Sequence, residues 1–204
     1  RYLGGAVTEY YLKAGQKELK AKGISLPYEL TYLTGSLMED YLQDVQAIQG
    51  FAMLNREIML SELQKKLKLK PTRFGESIHN YADESRILRK GAIAAYANDE
   101  VIIPLNMRDG ILLGTGKGNA DWNFSAPHGA GRILSREATR NSHTLSEFRE
   151  SMQGIYSPSI SGATLDEAPF AYRDMHEILA KIKETVTITK RLKPVYNYKA
   201  GGKE

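Results

Sequence analysis

The glycine-rich middle of the chain contains the stretch Ser125-Ala126-Pro127-His128-Gly129-Ala130-Gly131-Arg132. Glycines crowd together from Gly114 to Gly131, a density that predicts a long tight loop rather than a regular element. Small residues let a ligand approach the backbone, and they leave the His128 imidazole free of large neighbours. The composition alone fits a binding loop and a glycine-rich turn with an exposed histidine equally well.

Basic residues follow this loop at helical spacing. Arg132 and Arg136 are four residues apart, with Ser135 between them. If a helix begins here, both guanidinium groups share a face with the loop and could hold phosphate oxygens in bidentate pairs. The loop therefore favours a phosphate-bearing ligand.

Periodicity on either side of the loop predicts an α+β fold. Helical spacing of apolar residues predicts helices at Ala6–Lys22 and from Ser36 to about Leu69, the second starting at a Ser36/Glu39 capping box. Strand-like segments and further capped helices follow Pro71. The strand-like segments are Ile87–Tyr96, Val101–Leu105, Ile111–Leu113 and the pattern at Val186 and Ile188, and the helices are one near Ile133, Leu145–Met152 after Thr144, and Met175–Lys183 after Asp174.

Two polar residues outside the loop leave alternatives open. Asn55 interrupts the apolar stripe of the second helix, so it is either a buried hydrogen-bonded amide or, with Arg56, part of an anion site. His79 follows a polar segment, which makes a ligand role plausible, but one histidine cannot define a metal site. His143 and His176 have the ordinary contexts of surface or capping residues.

Composition excludes some classes of protein. The 204 residues are 42% hydrophobic and carry a formal charge of +4, which suits one ordinary domain and is compatible with a polyanionic partner. Without cysteine, the chain offers neither disulfides nor thiolate ligands. It also lacks a long apolar run or a signal-peptide pattern, so we expect no membrane segment and a cytoplasmic location.

Taken together, these motifs resemble a known family. His128-Gly129-Ala130-Gly131-Arg132 followed by Ser135-Arg136 is similar to the signature of RtcB-type RNA-splicing ligases. Other segments match that family in the same order, so the resemblance spans nearly the whole chain. They are Asn55-Arg56, Ile78-His79-Asn80-Tyr81, Arg89-Lys90-Gly91-Ala92, Ile103-Pro104 with Met107, and Lys193-Pro194-Val195 through Lys199.

The resemblance implies an activity. Such ligases join an RNA 3′-phosphate or 2′,3′-cyclic phosphate to a 5′-hydroxyl in tRNA splicing or RNA repair, using GTP and two manganese ions. His128 would be the nucleophile that carries GMP.

The resemblance also implies roles for individual residues. His79 would be a metal ligand, Asn80 and Gly129, Ala130 and Gly131 would lie at the GMP, and Lys199 would reach the guanine base. Pro104, Leu105, Asn106 and Met107 match a nucleotide-contacting segment, although the family often has Gly-Ser in place of Leu105-Asn106. The RNA phosphates would be held by Arg1, Asn55, Arg56, Lys90, Arg132 and Arg136.

The resemblance places residues 1–204 in the C-terminal part of a single catalytic domain. Arg1 is similar to the last residue of a His-Ser-Gly-Ser-Arg motif, and the family takes an aspartate, a cysteine and two further histidines from its N-terminal half. The expected partners are RNA, GTP and that half. Two alternatives are a non-catalytic RNA- or nucleotide-binding relative and a metal-dependent phosphoesterase, which would need a dense local set of ligands.

Overall fold

The structure is a computed structural model that describes residues 2–199. The chain divides into two compact units, Arg1–Phe74 and Gly75–Glu204. The predicted single catalytic domain across the whole chain stays a prediction.

The first unit is a pair of helices, α1 (Tyr2–Ala21) and α2 (Gly35–Leu67), with a short 3-10 turn at Tyr28–Leu30. Helix α1 ends at Ala21, one residue before the predicted end at Lys22, and Gly23 follows with a φ of +74° that suits glycine. Tyr11 is buried, and its hydroxyl donates a hydrogen bond to Asp44 of α2 over 2.8 Å. This bond and the packing around it join the two helices.

Helix α2 differs from the prediction in two ways. It begins at Gly35 after Thr34, whose side chain makes no capping hydrogen bond, so Ser36 lies inside the helix and is not the predicted N-cap. None of its residues is fully buried, and Asn55 is exposed, with its amide nitrogen 3.6 Å from the Met59 sulfur. The alternative of a buried Asn55 amide is therefore wrong.

The second unit contains short antiparallel sheets that place the loop around His128. The strands are β1 (Asn80–Ala82), β2 (Leu88–Lys90), β3 (Ala92–Ala94), β4 (Glu100–Pro104), β5 (Ile111–Gly116), β6 (Ser125–Pro127) and β7 (Val186–Leu192). Strands β1 and β2 form one pair, β3 and β6 form another, and β4, β5 and β7 form a three-stranded sheet in that order.

Strand β6 corrects the prediction of an unbroken glycine-rich loop. Strand β5 continues to Gly116, and Ser125–Pro127 pairs with β3. Ile93 and Ala126 are opposite each other in this pair and both are buried, so apolar burial stabilises a strand that glycine density concealed.

Helices α3 (Arg136–Ser142), α4 (Leu145–Ser151) and α5 (Met175–Lys181) complete the unit. The capping box of Thr144 and Glu147 is formed, and Asp174 accepts a hydrogen bond from the His176 backbone, which confirms both predicted helix starts. The main core joins the strands to α5 through Ile93, Ile103, Leu112 and Ile178.

The mixture of helices and sheets agrees with the predicted α+β class. Within residues 2–199, no helix is both long enough and apolar enough to cross a membrane.

Candidate active site around His128

His128 directly follows strand β6, and the strand pairing brings it to Gly91. Pro127 is opposite Ala92 in the β3–β6 ladder, so the next residue along β6 reaches the turn that precedes β3. The His128 Nδ1 atom lies 2.5 Å from the Gly91 carbonyl oxygen. A carbonyl oxygen only accepts hydrogen bonds, so Nδ1 carries the hydrogen. In a neutral imidazole this leaves the Nε2 lone pair available to a ligand.

His79 stacks on His128. The two ring centroids are 4.7 Å apart and the rings are nearly parallel, at 14°. Burial, and next the neighbouring His128 ring, lower the pKa of His79 below its ordinary value of 6.5. A neutral imidazole at neutral pH is the form that binds a metal ion, so His79 has the electronic state that a ligand needs.

Gly91 ties this histidine pair together. Its backbone N–H donates to the His79 carbonyl over 2.8 Å and to the Asn80 side-chain oxygen over 3.1 Å. Its φ is +69°, and a Cβ added there would lie 3.4 Å from His128 Cε1. Glycine thus permits the turn and leaves space for the imidazole. The predicted site residues His79, Asn80 and His128 meet at this turn.

Arg89, two residues before Gly91, stabilises the same turn. It is buried, its guanidinium pairs with Asp83, and its Nε donates to Ser125 of β6 over 2.9 Å. Burial alone would raise the pKa of Asp83, but hydrogen bonds from Arg89 and Tyr96 hold that pKa below its ordinary value. Since Arg89 also bonds the Asn123 and Phe124 carbonyls, it fixes β2 to the approach to β6.

A cavity of about 550 Å³ is lined in part by Pro104, whose carbonyl is bonded to the loop that follows His128. The Ala130 N–H donates to the Pro104 carbonyl over 3.2 Å, and Pro104 begins one wall of the cavity. A Cβ on Gly129 would lie 3.0 Å from the same carbonyl oxygen, so glycine permits this close approach. The lining includes Pro104, Leu105, Asn106, Met107, Lys193, Asn197 and Lys199.

The predicted nucleotide-contacting segment and Lys199 therefore line the same cavity. Leu105 and Met107 are buried, and the Asn106 side chain accepts hydrogen bonds from the backbone of Arg108 and Asp109. These residues shape the wall mainly by packing and by holding the turn. The Gly-Ser expected from the family is thus replaced by a pair that stabilises its own loop.

Lys199 meets two residues that the sequence did not single out. Its Nζ lies 3.3 Å from Glu167 Oε2, and the Tyr172 hydroxyl donates to the same oxygen over 2.7 Å. Burial and the bond to Glu167 raise the pKa of Tyr172 to about 12. The only sequence signal for this cluster was the adjacent acidic pair Asp166-Glu167, which by itself predicts nothing.

The two arginines after the loop have different environments. Arg132 is largely enclosed, with its side chain 24% exposed, and it donates to the carbonyls of Leu134 and Asp166. Arg136 is 73% exposed and rests 3.7 Å from Asp166 and 3.5 Å from Glu167. Arg136 is therefore better placed than Arg132 to reach a phosphate.

The remaining predicted residues are more scattered. Lys90 is exposed on β2 directly opposite Asn80, beside the histidine pair. Asn55 and Arg56 belong to the first compact unit, whereas His128 belongs to the second. Arg1 lies outside the described residues. His176 is exposed, and the half-buried His143 stacks on Phe170 with centroids 3.9 Å apart.

The described residues gather no cluster of possible metal ligands around His79. Among residues 2–199, no group of three or more histidine, cysteine, aspartate or glutamate side chains could hold a metal ion. The described residues therefore do not complete a metal site by themselves.

Comparison with known proteins assigns the family. The model of the tRNA-splicing ligase RtcB family matches residues 1–200, and the chain belongs to this family. It is 30% identical to the RNA-splicing ligase RtcB1 of an Escherichia coli strain, over 96% of this chain and 53% of that protein.

More distant relatives extend the match across bacteria and archaea. The RNA-splicing ligase RtcB of Escherichia coli K12 is 29% identical over 96% of this chain and 53% of its own length. The tRNA-splicing ligase RtcB of Aeropyrum pernix is 28% identical over 96% and 49%, respectively. The chain thus spans about half the length of the curated relatives it matches.

Proposed function

We propose that this protein acts as an RNA ligase that joins a 3′-phosphate or 2′,3′-cyclic phosphate end to a 5′-hydroxyl end through GMP bound to His128, using GTP and manganese. Membership in the RtcB family supports the class of reaction. The observation that carries the proposal is the His128 loop bonded to the wall of a cavity that Lys199 also lines. A nucleotide in that cavity would contact the wall to which the His128 loop is bonded, and the His128 imidazole has its Nε2 available.

The first step would be attack of His128 Nε2 on the α-phosphorus of GTP. A nitrogen–phosphorus bond forms, and the bond to the leaving pyrophosphate breaks with its electron pair on the pyrophosphate oxygen. As the ring nitrogen gains positive charge, the Gly91 carbonyl stabilises the proton on Nδ1. The stacked His79 ring and the Gly91 backbone keep the imidazole in this orientation.

The next steps would transfer GMP and then release it. A 2′,3′-cyclic phosphate end would first be opened by water to the 3′-phosphate. An oxygen of the RNA 3′-phosphate then attacks the phosphorus on His128, and the phosphorus–nitrogen bond breaks, which frees the imidazole and activates the RNA end. The 5′-hydroxyl of the second RNA attacks the activated 3′-phosphate, loses its proton and expels GMP. Exposed Lys90 and Arg136 would hold RNA phosphates near His128, with Arg56 and Asn55 as further candidates.

Manganese would supply neutralisation of phosphate charge in the complete site. In this chain, His79 is the proposed ligand, and the other ligands would come from an N-terminal half. The placement of residues 1–204 as the C-terminal part of a longer catalytic domain, and its cytoplasmic location, belong to the same proposal.

A joining assay tests the proposal. The native protein, in the length that its cell makes, is mixed with GTP, manganese, one RNA oligonucleotide ending in a 3′-phosphate and another beginning with a 5′-hydroxyl. We expect a joined product from the wild type and from His176→Ala, whose histidine is exposed on α5, and none from His128→Ala. Nucleotide binding without any joining by the wild type would contradict the proposal and favour the non-catalytic relative.

A further inference from the structure

The helix that follows the His128 loop carries a second arginine to which the proposed function gives no role. Arg136 and Arg140 are four residues apart on α3, so they share one face of the helix. Their α-carbons are about 6 Å apart along the helix axis, at a rise of about 1.5 Å per residue. This separation is close to the distance between neighbouring phosphorus atoms of an RNA strand.

One buried carboxylate holds both arginines. The Asp166 side chain is only 4% exposed, its Oδ1 accepts a hydrogen bond from Arg140 Nη2 over 2.8 Å, and its Oδ2 lies 3.7 Å from Arg136 Nε. Burial alone would raise the pKa of Asp166, but the Arg140 bond and the charges of both arginines hold that pKa below its ordinary value. The ionised carboxylate therefore fixes the two guanidinium groups side by side.

The positive groups of this cluster face the solvent. The acidic side chains are mostly buried, whereas the Arg136 and Arg140 side chains are 73% and 52% exposed. Within the described part of the chain, the basic members outnumber the acidic ones, with Arg132, Arg136, Arg140 and Lys199 around Asp166 and Glu167. Exposed guanidinium groups above buried acids favour the binding of an anion.

Arg140 keeps hydrogen-bond donors for such an anion. Its Nε and Nη2 atoms donate to Asp166, and Nη2 also donates to the Ala163 carbonyl. Among residues 2–199, Nη1 has no comparable partner, so its N–H groups are available to phosphate oxygens.

We propose that Arg140 binds the phosphodiester next to the terminal 3′-phosphate of the RNA, one helical turn along α3 from the phosphate that Arg136 holds. This rests on the proposed function, in which Arg136 holds an RNA phosphate near His128. Asp166 is the positioning residue, since it spaces the two arginines. The protein would thus favour the 3′-phosphate of an oligonucleotide over that of a single nucleotide.

Equilibrium binding of uridine 3′-phosphate and of the 3′-phosphorylated dinucleotide UpUp to the native protein tests the proposal. Only the dinucleotide has a phosphodiester. We expect the wild type to bind the dinucleotide more tightly, with a slope of log affinity against log salt that is steeper by about 0.7, the increment for one phosphate contact on a single strand.

Arg140→Gln keeps an amide donor for Asp166 and removes the charge. It should weaken dinucleotide binding about 10-fold, the lower end for a lost hydrogen bond to a charged group, and it should remove the additional salt slope. Binding of uridine 3′-phosphate should stay unchanged. A variant that weakens both ligands equally would show a purely structural role and overturn the proposal.

Arg149→Gln is the matched control. Arg149 is exposed in the last turn of α4, as Arg140 is in the last turn of α3, and its replacement should leave both affinities and both slopes unchanged. Thermal unfolding of the two variants identifies any loss of fold. If Arg140→Gln fails to fold, the wild type still decides, since equal salt slopes for the two ligands would overturn the proposal.

The joining assay identifies the strand and separates this proposal from the proposed function. Arg140→Gln should raise KM for the 3′-phosphate strand and leave KM for the 5′-hydroxyl strand unchanged, and the reverse would overturn the proposal. A wild type that joins RNA while Arg140→Gln binds the dinucleotide normally overturns the role of Arg140 and leaves the ligase proposal intact. A wild type that binds the dinucleotide through Arg140 but joins no RNA overturns the ligase proposal alone.

Discussion

Replacement of Arg89 by Met should strongly destabilise the second compact unit. The Arg89 side chain is 1% exposed and its partner Asp83 is 13% exposed, so both charges are removed from most of the solvent. Breaking a buried pair by removing one partner costs about 3 to 5 kcal/mol, because the other charge stays buried. Asp83 keeps donors at Tyr96 and the Ile87 backbone, which places the expected loss near the lower end, about 3 kcal/mol.

A surface pair provides the comparison. Arg173 and Glu177 form an ion pair at 3.0 Å with side chains 49% and 42% exposed. Solvent screens such a pair, so Arg173→Met should lower the free energy of unfolding by only about 0.2 to 1 kcal/mol. The contrast between the two arginines tests whether burial gives Arg89 its importance.

Urea unfolding followed by fluorescence measures both variants. The single tryptophan, Trp122, lies in the second unit and reports on its unfolding. The double variant Arg89→Met with Asp83→Asn should cost less than the sum of the single changes, because no unpaired charge is left buried. The reasoning is refuted if Arg89→Met lowers the free energy of unfolding by less than about 1 kcal/mol more than Arg173→Met does, since about 1 kcal/mol is the upper end of the range for a surface pair.

Three further predictions concern the site itself. The pKa of His79 lies below 6.5, so His79 contributes stability that is present above that pH and lost as the pH falls. An NMR titration should show this low pKa, and the pKa of His79 should rise in His128→Ala. An unchanged pKa in that variant would contradict the coupling between the two rings. Lys199→Ala should weaken the use of GTP by about 1.5 to 3 kcal/mol, measured as the rate of GMP transfer to the protein. Deletion of residues 201–204, which lie outside the described residues, should change that rate far less. Equal rates for the wild type and Lys199→Ala would remove this lysine from the site. Gly91→Ala and Gly154→Ala both place alanine at positive φ and should each cost about 1 to 2 kcal/mol of stability. Only Gly91→Ala should also slow GMP transfer to His128, since its Cβ would lie 3.4 Å from that ring. Equal transfer rates in the two variants would contradict the contact.

Local patterns predicted much of the fold. The end of the first helix, the capping box at Thr144 and the Asp174 cap all depend on residues within one turn. The structure places the helix end within one residue of the predicted Lys22 and confirms both caps. Strand β6 depends on pairing with β3, more than thirty residues earlier, so composition around Pro127 could not reveal it. The apolar stripe of α2 predicted burial that the helix does not have, since periodicity shows which residues share a face and not what covers that face.

The same contrast between local patterns and contacts of distant segments applies to the candidate site. Motifs identified His79, Asn80, His128 and Lys199 individually. The structure brings the first three to the Gly91 turn and places Lys199 in the lining of the cavity that includes Pro104. Glu167 escaped detection because its contacts with Lys199 and Arg132 join residues more than thirty positions apart. Arg132 was predicted to hold a phosphate, but its guanidinium donates hydrogen bonds to two backbone carbonyls. No sequence pattern predicts these bonds.

The most direct test of the account is the position of covalently bound GMP. The native protein is incubated with GTP and manganese, digested under mild alkaline conditions that preserve a phosphoramidate, and mapped by mass spectrometry. The account predicts GMP on His128, and loss of the modification in His128→Ala but not in His176→Ala. GMP on any other residue of a joining-competent protein, or joining by His128→Ala, would contradict the assignment of His128 as the nucleophile.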